Sequence, residues 1–321
     1  MNHKINALHR NYFYFCHIFK TPIKTALMSA LLKNHLKLHF VVLLYGFTAI
    51  LGKLITLPAA ELVWYRMFIA FAVLGAFIWY KKVPINIGGK SIAQIMGVGL
   101  VVAFHWITFF HAVKISNVSV TLGCMASTTL FASFLEPIIF RKRIKWIEVF
   151  IGLLIIGGLY LIFQFELSYW KGILTALLSA FLAGLFTVLN KLFINKHHPV
   201  TISFYEMISG FISIGIFLLA IDTLPGNLLL PSGADIIFVL ILGIVCTAYA
   251  FVVAVDVMKV LSAYTVILAI NMEPVYGILL AFAFFGQSEF MSGGFYMGTV
   301  IILAAVFLHP ILVKVQKRQN Q

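Results

Sequence analysis

Apolar blocks of about 20 residues, separated by short polar segments, recur along this chain from about residue 38 onwards. A helix needs about 20 such residues to cross roughly 30 Å of hydrocarbon. Charged residues make up only 10% of the chain, against about 25% in soluble domains. This is too little charge to cover a water-facing surface. The sequence therefore predicts an all-α integral membrane protein that crosses the bilayer many times.

Ten segments have the length and hydropathy of a membrane span. They lie at about residues 38–57, 61–80, 91–112, 115–140, 145–163, 171–192, 200–221, 234–254, 259–285 and 291–312. Most connections between them are short, which predicts antiparallel neighbours. The chain then divides into a cytoplasmic segment at 1–35, five spans within 36–165, five within 166–313 and a cytoplasmic tail at 314–321.

The segment before the first span contains aromatic and basic side chains without the compact apolar core of a signal peptide. Two interpretations stay open. The segment can form an amphipathic helix at the membrane surface, or translation can start at Met28.

The basic residues indicate how the spans are oriented. The chain has 23 lysines and arginines and a formal net charge of +13, and most of the basic residues fall in the two termini and in alternate loops. Cytoplasmic loops carry such an excess, so we expect an inner-membrane protein with both termini in the cytoplasm. No basic patch interleaved with aromatic residues is present, as single-strand binding would need, and we expect no nucleic-acid partner.

A short phrase occurs once in each half of the chain. Residues 65–71 read YRMFIAF and residues 205–211 read YEMISGF, and a lysine–leucine pair precedes each copy, at 53–54 and at 191–192. Each half contains five predicted spans, an odd number, so the second copy must cross the membrane inverted relative to the first. The sequence thus predicts ten transmembrane helices in two inverted five-helix repeats.

Several motifs extend from the second predicted span to the tenth. They are WYRM at residues 64–67, MEPVYGILL at 272–280, GQSE at 286–289, and then Gly293, Gly294 and Gly298. Together they resemble the EamA-type carriers of the drug/metabolite transporter (DMT) superfamily, over about residues 36–312. The resemblance implies a secondary transporter of small organic metabolites, with efflux of amino acids or related compounds favoured.

Two departures from the family pattern concern the first half. Residues 127–129 read STT where the second half has MEP at 272–274, so the first half lacks the proline. The turn that in this family often carries a glutamate reads RKR at 141–143, and the corresponding turn of the second half has Gln287. The motifs therefore indicate the family and leave the substrate open.

Glu273 lies near the middle of the predicted ninth span, beside Asn271 and directly before Pro274. The proline removes a backbone donor and frees the carbonyl of Ile270 at membrane depth, and carriers often build their sites on such interrupted helices. Ionisable groups inside spans are costly and commonly functional. Glu273 is therefore a candidate substrate ligand and proton carrier; the alternative is a hydrogen bond between helices.

Four other residues of the predicted spans could complete this substrate site. His105 and Trp106 lie in the third span, Thr128 in the fourth and Tyr249 in the eighth. A histidine there can bind substrate or exchange protons, or it can form an internal hydrogen bond. The Thr128 hydroxyl can bond its own helix backbone instead. With Asn271 and Glu273, these residues form the predicted substrate site.

Charged residues near the ends of spans could act as gates. Lys53 and Glu61 lie on the predicted outer side, where Arg66 also begins the second span, and Lys191 and Glu206 occupy the equivalent places on the inner side. One interpretation pairs Lys53 with Glu61 and Lys191 with Glu206 as alternating gates. In the alternative, Lys191 extends to the headgroups and Glu206 stabilises a helix start.

These observations predict a carrier that works by alternating access. No ATP-binding motif, metal-ligand set or cofactor motif is present in the sequence, so the solute gradient or a coupled proton would drive it. The alternative is a membrane-embedded enzyme, such as a lipid-modifying transferase, which would need clustered acids, bases or metal ligands at a membrane face. The expected partners are a small-molecule substrate, protons and the lipid bilayer, and the chain would act as a monomer or homodimer.

Overall fold

The computed structural model of the protein describes residues 31–141, 146–224, 226, 228–270 and 272–319. Over these ranges the chain forms helices and turns without a β-strand. The helices are α1 (Leu31–Leu54), α2 (Ala59–Lys81), α3 (Gly89–Ile115), α4 (Val118–Met125), α5 (Thr128–Ile139), α6 (Trp146–Phe165), α7 (Trp170–Asn190), α8 (Pro199–Ala220), α9 (Ala234–Gly243), α10 (Ala250–Val257), α11 (Ala263–Ile270), α12 (Glu273–Phe285) and α13 (Gly293–Gln319). Asn271, Met28 and the predicted surface helix before α1 lie outside the described residues.

Seven helical segments of the described chain are long and apolar enough to span a bilayer. They are Leu31–Leu54, Ala59–Lys81, Gly89–Ile115, Val118–Ile139, Leu167–Asn190, Pro199–Ala220 and Ala234–Val257. Two further apolar helices, Phe150–Phe165 and Gly293–Ala305, are shorter. The all-α class predicted from the sequence is confirmed, and the total of ten spans stays a prediction.

Two of the predicted spans are interrupted at equivalent places in the two repeats. The ninth breaks between α11 and α12, where Pro274 follows as the second residue of α12. The fourth breaks at residues 126–127, between α4 and α5, although no proline is present there. The Ser127 hydroxyl donates to the Cys124 carbonyl (2.7 Å) and the Thr128 hydroxyl to the Met125 carbonyl (2.7 Å). These hydroxyls satisfy backbone acceptors at the break.

A π-helical segment at Ile244–Tyr249 separates α9 from α10. Within it, the Thr247 hydroxyl donates to the Leu242 carbonyl at 2.6 Å. Such bulges insert one residue into a helix and are common at functional sites. Here the segment turns Thr247 towards α2, whose Arg66 contacts it.

The two halves of the chain interlock through several helix pairs. α3 packs against α7 and α8, α2 packs against α8, and α4 packs against α12. α6 and α13, the last helices of the two halves, pack against each other. The contact between α3 and α8 is so close that a Cβ atom on Gly99 would lie 2.5 Å from the Glu206 carbonyl oxygen. The core between the halves is therefore built by both repeats together.

Candidate functional site

A cavity of about 80 Å³, measured as the space open to the centres of water molecules, lies between the two halves. This is room for several water molecules. Its polar and charged lining residues are Tyr45, Thr48, Arg66, His105, Trp106, Thr128, Thr187, Asn190 and Glu273. Its apolar lining residues are Phe109, Met125, Ala183, Phe186, Phe251, Ala254, Val255, Met258, Val266, Ile267, Ile270 and Pro274. Each repeat contributes one charged residue and two or more aromatic rings to the lining.

Arg66 supplies the positive charge of the cavity. Its side chain is 2% exposed, its Nε donates to the Thr247 hydroxyl at 2.6 Å, and its guanidinium carbon lies 3.7 Å from the centre of the Trp106 ring. Nη1 has no hydrogen-bond partner among the described residues. The sequence predicts Arg66 as a gate residue at the outer mouth, and the structure places it in the cavity wall instead.

Glu273 supplies the negative charge. It is the first residue of α12, it is buried, and it lines the same cavity as Arg66. Unbonded backbone N–H groups at a helix start favour a carboxylate there. The carboxylate and the Arg66 guanidinium do not form a salt bridge with each other within 4.0 Å, so a ligand can lie between the two charges.

His105 joins two helices as well as lining the cavity. Its Nδ1 lies 3.0 Å from the Ser179 carbonyl oxygen and 2.9 Å from the Ser179 hydroxyl, and that hydroxyl also contacts the His105 carbonyl. A carbonyl only accepts hydrogen bonds, so its contact assigns the ring proton to Nδ1. The internal hydrogen bond left open by the sequence is therefore present, together with the position in the cavity.

The other predicted substrate residues are distributed differently. Trp106 and Thr128 line the cavity with His105 and Glu273. Tyr249 is 49% exposed, packs edge-on against Phe40, and does not line the cavity. Of the five predicted residues that the structure describes, it thus brings four together.

Four polar residues of the cavity were not predicted from the sequence, and they lie in the spans that precede each copy of the duplicated phrase. Tyr45 and Thr48 lie one turn apart on α1, and Thr187 and Asn190 lie one turn apart on α7. All four line the cavity. Their spacing of three residues places each pair on one helix face, and this spacing is the signal that could have identified them.

Lys53 and Glu61, paired in one interpretation of the sequence, contact other residues in this structure. Lys53 Nζ lies 2.6 Å from Glu289 Oε1, whereas Glu61 Oε2 accepts a hydrogen bond from the Leu229 amide at 2.9 Å. Glu289 is fully buried, and a buried carboxylate needs a cation or several donors. Lys53 supplies the cation, while Glu61 lies at the start of α2 and contacts the loop that follows α8.

The predicted pairing of Lys191 with Glu206 is replaced by other contacts. Lys191 donates to the carbonyl oxygens of Met258 and Leu261. Glu206 is fully buried, and neither of its carboxylate oxygens has a hydrogen-bond partner in the described part of the chain. Its neighbour is the Asn190 side chain.

Carboxylates also connect loops of the two halves on the predicted outer side. Asp235 accepts from the Thr56 hydroxyl at 2.6 Å and from the Thr56 amide at 3.2 Å. Glu166 accepts from the Ser292 amide at 2.9 Å. With Glu61 and Glu289, these residues hold the loops together at the end of the molecule where α1 ends and α2 begins.

The cavity wall includes residues near the opposite end of the molecule. Asn190, Met258 and Val266 lie at the predicted inner ends of α7, α10 and α11, and all three line the cavity. Carboxylates therefore hold the loops together at the predicted outer end, and the cavity wall extends towards the predicted inner end.

Residues 32–164 and 170–309 each match the EamA-like transporter family, so the family domain occurs twice. The chain belongs to the EamA-like transporter family. The predicted resemblance to EamA-type DMT carriers is confirmed, and it covers both halves. Members of this family are multi-pass membrane proteins, and the family points to a transporter rather than an enzyme.

Two individual proteins are similar to this EamA-family chain. The uncharacterized transporter YxxF of Bacillus subtilis (strain 168) is 23% identical over 296 residues, which is 89% of this chain and 91% of that protein. A crystal structure of a protein with 18% sequence identity has a TM-score of 0.66 and covers 88% of this chain and 99% of that one. At this identity the second comparison supports a shared fold alone.

Proposed function

We propose that this EamA-family protein is a secondary carrier that exports an amino acid or a related small metabolite across the inner membrane by alternating access. In this proposal the chain crosses the bilayer ten times, in two inverted repeats, with both termini in the cytoplasm. One observation carries the proposal: the cavity between the repeats holds a buried arginine and a buried glutamate that do not pair with each other.

The two charges fit a zwitterion. The unpartnered Nη1 of Arg66 can donate to a carboxylate, in the charge-assisted contact that guanidinium groups favour. The Glu273 carboxylate can accept from an ammonium group. The side chain of such a solute would contact the aromatic walls formed by Trp106, Phe186 and Phe251, which favours apolar over charged side chains.

The contacts at the two ends fit an inward-facing state. Carboxylate bonds hold the predicted outer loops together, and the cavity extends towards the predicted inner ends of α7, α10 and α11. In the outward-facing state these carboxylate bonds would break while the inner ends close. The breaks in α4–α5 and α11–α12 lie next to the cavity and supply places where half-helices can tilt.

Counterflow into proteoliposomes tests the function. Liposomes loaded with unlabelled L-amino acids should take up a radiolabelled mixture of L-amino acids only when the full-length protein is present. R66M and E273Q should reduce this uptake by roughly tenfold or more, because each removes a charge-assisted contact of about 1.5–3 kcal/mol. K90M, at an exposed lysine of α3, serves as the matched control and should behave like the unmodified protein.

Two results would overturn the proposal. One is chemical conversion of lipid or solute without counterflow, which would favour the membrane-embedded enzyme. The other is counterflow that R66M and E273Q leave unchanged. If neither result is found, comparing the metabolites released by deletion and overexpressing cells would identify the solute.

A further inference from the structure

A second group of buried polar atoms lies beside the solute cavity, and one of its residues, Asn190, also lines that cavity. Glu206 on α8 is 0% exposed and Asn190 at the end of α7 is 1% exposed. Both carboxylate oxygens of Glu206, both amide atoms of Asn190 and the hydroxyl of Ser203 have no hydrogen-bond partner among the described residues. Ser203 precedes Glu206 by three residues, on the same face of α8. Buried polar atoms nearly always form hydrogen bonds, so this group is a candidate binding site.

Within the described part of the chain, no cationic side chain donates to the Glu206 carboxylate. α3 meets this part of α8 with Gly99, and α2 meets it with Met67, one turn further along α8 at Gly210. Neither side chain titrates. Asn190 on α7 is polar and uncharged.

Four charged or titratable residues in or next to the same elements have other contacts. Arg66 on α2 donates to Thr247, and Lys191, next to Asn190, donates to two carbonyls. Asp256 on α10 forms salt bridges with Lys37 and Lys259. His105 on α3 bonds Ser179.

The chemistry of this group fits a proton. A buried carboxylate without a cation or donors is costly, whereas a carboxylic acid is neutral. A carboxylic acid has one O–H donor, which the amide oxygen of Asn190 can accept. After the proton leaves, a rotation of the amide presents its NH₂ group to the carboxylate. The pair can therefore form a hydrogen bond in either protonation state.

We propose that Glu206, with Asn190 as its hydrogen-bonding partner, binds the proton that drives transport. This inference rests on the proposed carrier function and names its coupling site. Asn190 also lines the solute cavity, so it connects the two sites: a solute that contacts the amide changes which hydrogen bond Glu206 can form. One proton binds the carboxylate from the outer side and leaves to the inner side in each cycle. Arg66 and Glu273 are then left to bind the solute.

Infrared spectroscopy tests the site without a substrate. The full-length protein in lipid is brought from acidic to alkaline pH, and the carbonyl stretch of protonated carboxylic acids is followed. The spectrum should contain a band that disappears in alkali, is absent in E206Q and remains in E273Q. N190L should shift its position, because the hydrogen bond to the acid is lost. If the band that disappears in alkali were still present in E206Q, the proposal would be overturned.

Transport driven by a pH gradient supplies the second test. A gradient across the proteoliposome membrane should drive accumulation of the radiolabelled L-amino acid mixture, and E206Q should reduce this accumulation by about tenfold, within the usual range of coupling between two sites. Glutamine has the shape of the protonated acid, and counterflow by E206Q shows whether the variant still folds. Accumulation by E206Q equal to that of the unmodified protein would overturn the proposal, as would accumulation driven by a sodium gradient in place of a proton gradient.

The two proposals fail in different ways. If the unmodified protein moves no amino acid in either assay, the proposed function is wrong, while the infrared test of Glu206 still applies. If counterflow occurs and E206Q leaves both the pH-driven accumulation and the infrared band unchanged, only the proton site is wrong.

Discussion

Lys53 Nζ lies 2.6 Å from Glu289 Oε1, and the same carboxylate caps the start of α4. Its Oε2 accepts from the Ser119 amide at 2.9 Å and from the Ser119 hydroxyl at 2.8 Å, and Oε1 accepts from the Val118 amide at 3.3 Å. One fully buried carboxylate therefore joins α1, α4 and the turn after α12. These elements belong to both repeats, so opening the predicted outer end requires them to separate.

E289Q should destabilise the protein and open this end. The glutamine keeps the shape of the side chain but replaces one accepting oxygen with an NH₂ group, so buried donors at the start of α4 lose an acceptor, and each buried group left unsatisfied costs about 1–3 kcal/mol. Thermal unfolding in detergent would measure the loss. K53M should cost less, because the Ser119 hydroxyl and the amides of Ser119 and Val118 still donate to the carboxylate, and the double variant K53M/E289Q should resemble E289Q alone.

Thiol labelling would show the conformational part of this effect. In a variant without the native cysteines, T48C introduces a single thiol into the cavity wall. This thiol should react faster with a membrane-impermeant thiol reagent added from outside when E289Q is also present. Equal labelling rates with and without E289Q would contradict the assignment of Glu289 to the outer closure.

The ring of Trp106 should determine how well Arg66 binds the solute. The guanidinium lies over this ring at 3.7 Å, and a desolvated contact of this kind contributes about 2 kcal/mol or more. W106L should therefore raise the half-saturation concentration for amino acid counterflow by roughly thirtyfold. W79L provides a matched control, because Trp79 is exposed, and it should leave that concentration unchanged. Similar values for the two variants would argue against this role.

Two glycines of α3 should respond in opposite ways to alanine. A Cβ on Gly99 would lie 2.5 Å from the Glu206 carbonyl oxygen and 2.7 Å from its Cα, and a backbone cannot move aside as a flexible side chain can. G99A should push α3 from α8 and cost about 1–3 kcal/mol. Gly97 has no neighbour within 4 Å of such an atom, so G97A should stabilise the helix by up to about 1 kcal/mol. Thermal unfolding of both variants measures the difference. If G99A were as stable as G97A, α3 and α8 could separate without a loss of stability.

Much of this arrangement could be predicted from the sequence because bilayer thickness fixes the length of apolar helices. The position of Glu273 before Pro274 indicated a break in a helix at membrane depth, and the break is present. The equivalent break at residues 126–127 was not predicted, because serine and threonine hydroxyls can either interrupt a helix or bond within it.

Which face of each span meets the cavity could not be predicted in the same way. A span that is apolar on all sides has little amphipathic pattern, so the place of Arg66 in the cavity was not evident. Glu289 and Lys53 are 236 residues apart, and their pairing follows from the way the two repeats pack. Loop motifs alone contain no information on that packing.

His198 gives a prediction for pH. It lies at the start of α8, outside the helix, and its Nδ1 accepts a hydrogen bond from the Val200 amide at 3.3 Å. Partial burial lowers the pKa of His198 below its ordinary value of 6.5, and Lys259 lowers it further, while Asp256 acts in the opposite direction. The folded protein therefore favours the neutral ring, which is the form that can accept at Nδ1.

The stabilisation from this cap should be present above pH 6.5 and decrease as the pH falls below that value, because the unfolded chain takes up the proton first. H198N keeps a side-chain cap that does not titrate in this range, so the melting temperature of this variant should fall less on acidification. H198A lacks the cap and should be less stable than H198N by about 0.5–2 kcal/mol at neutral pH. Thermal melts from neutral to mildly acidic pH measure both effects. Parallel curves for the unmodified protein and H198N would show that protonation of His198 does not affect the start of α8.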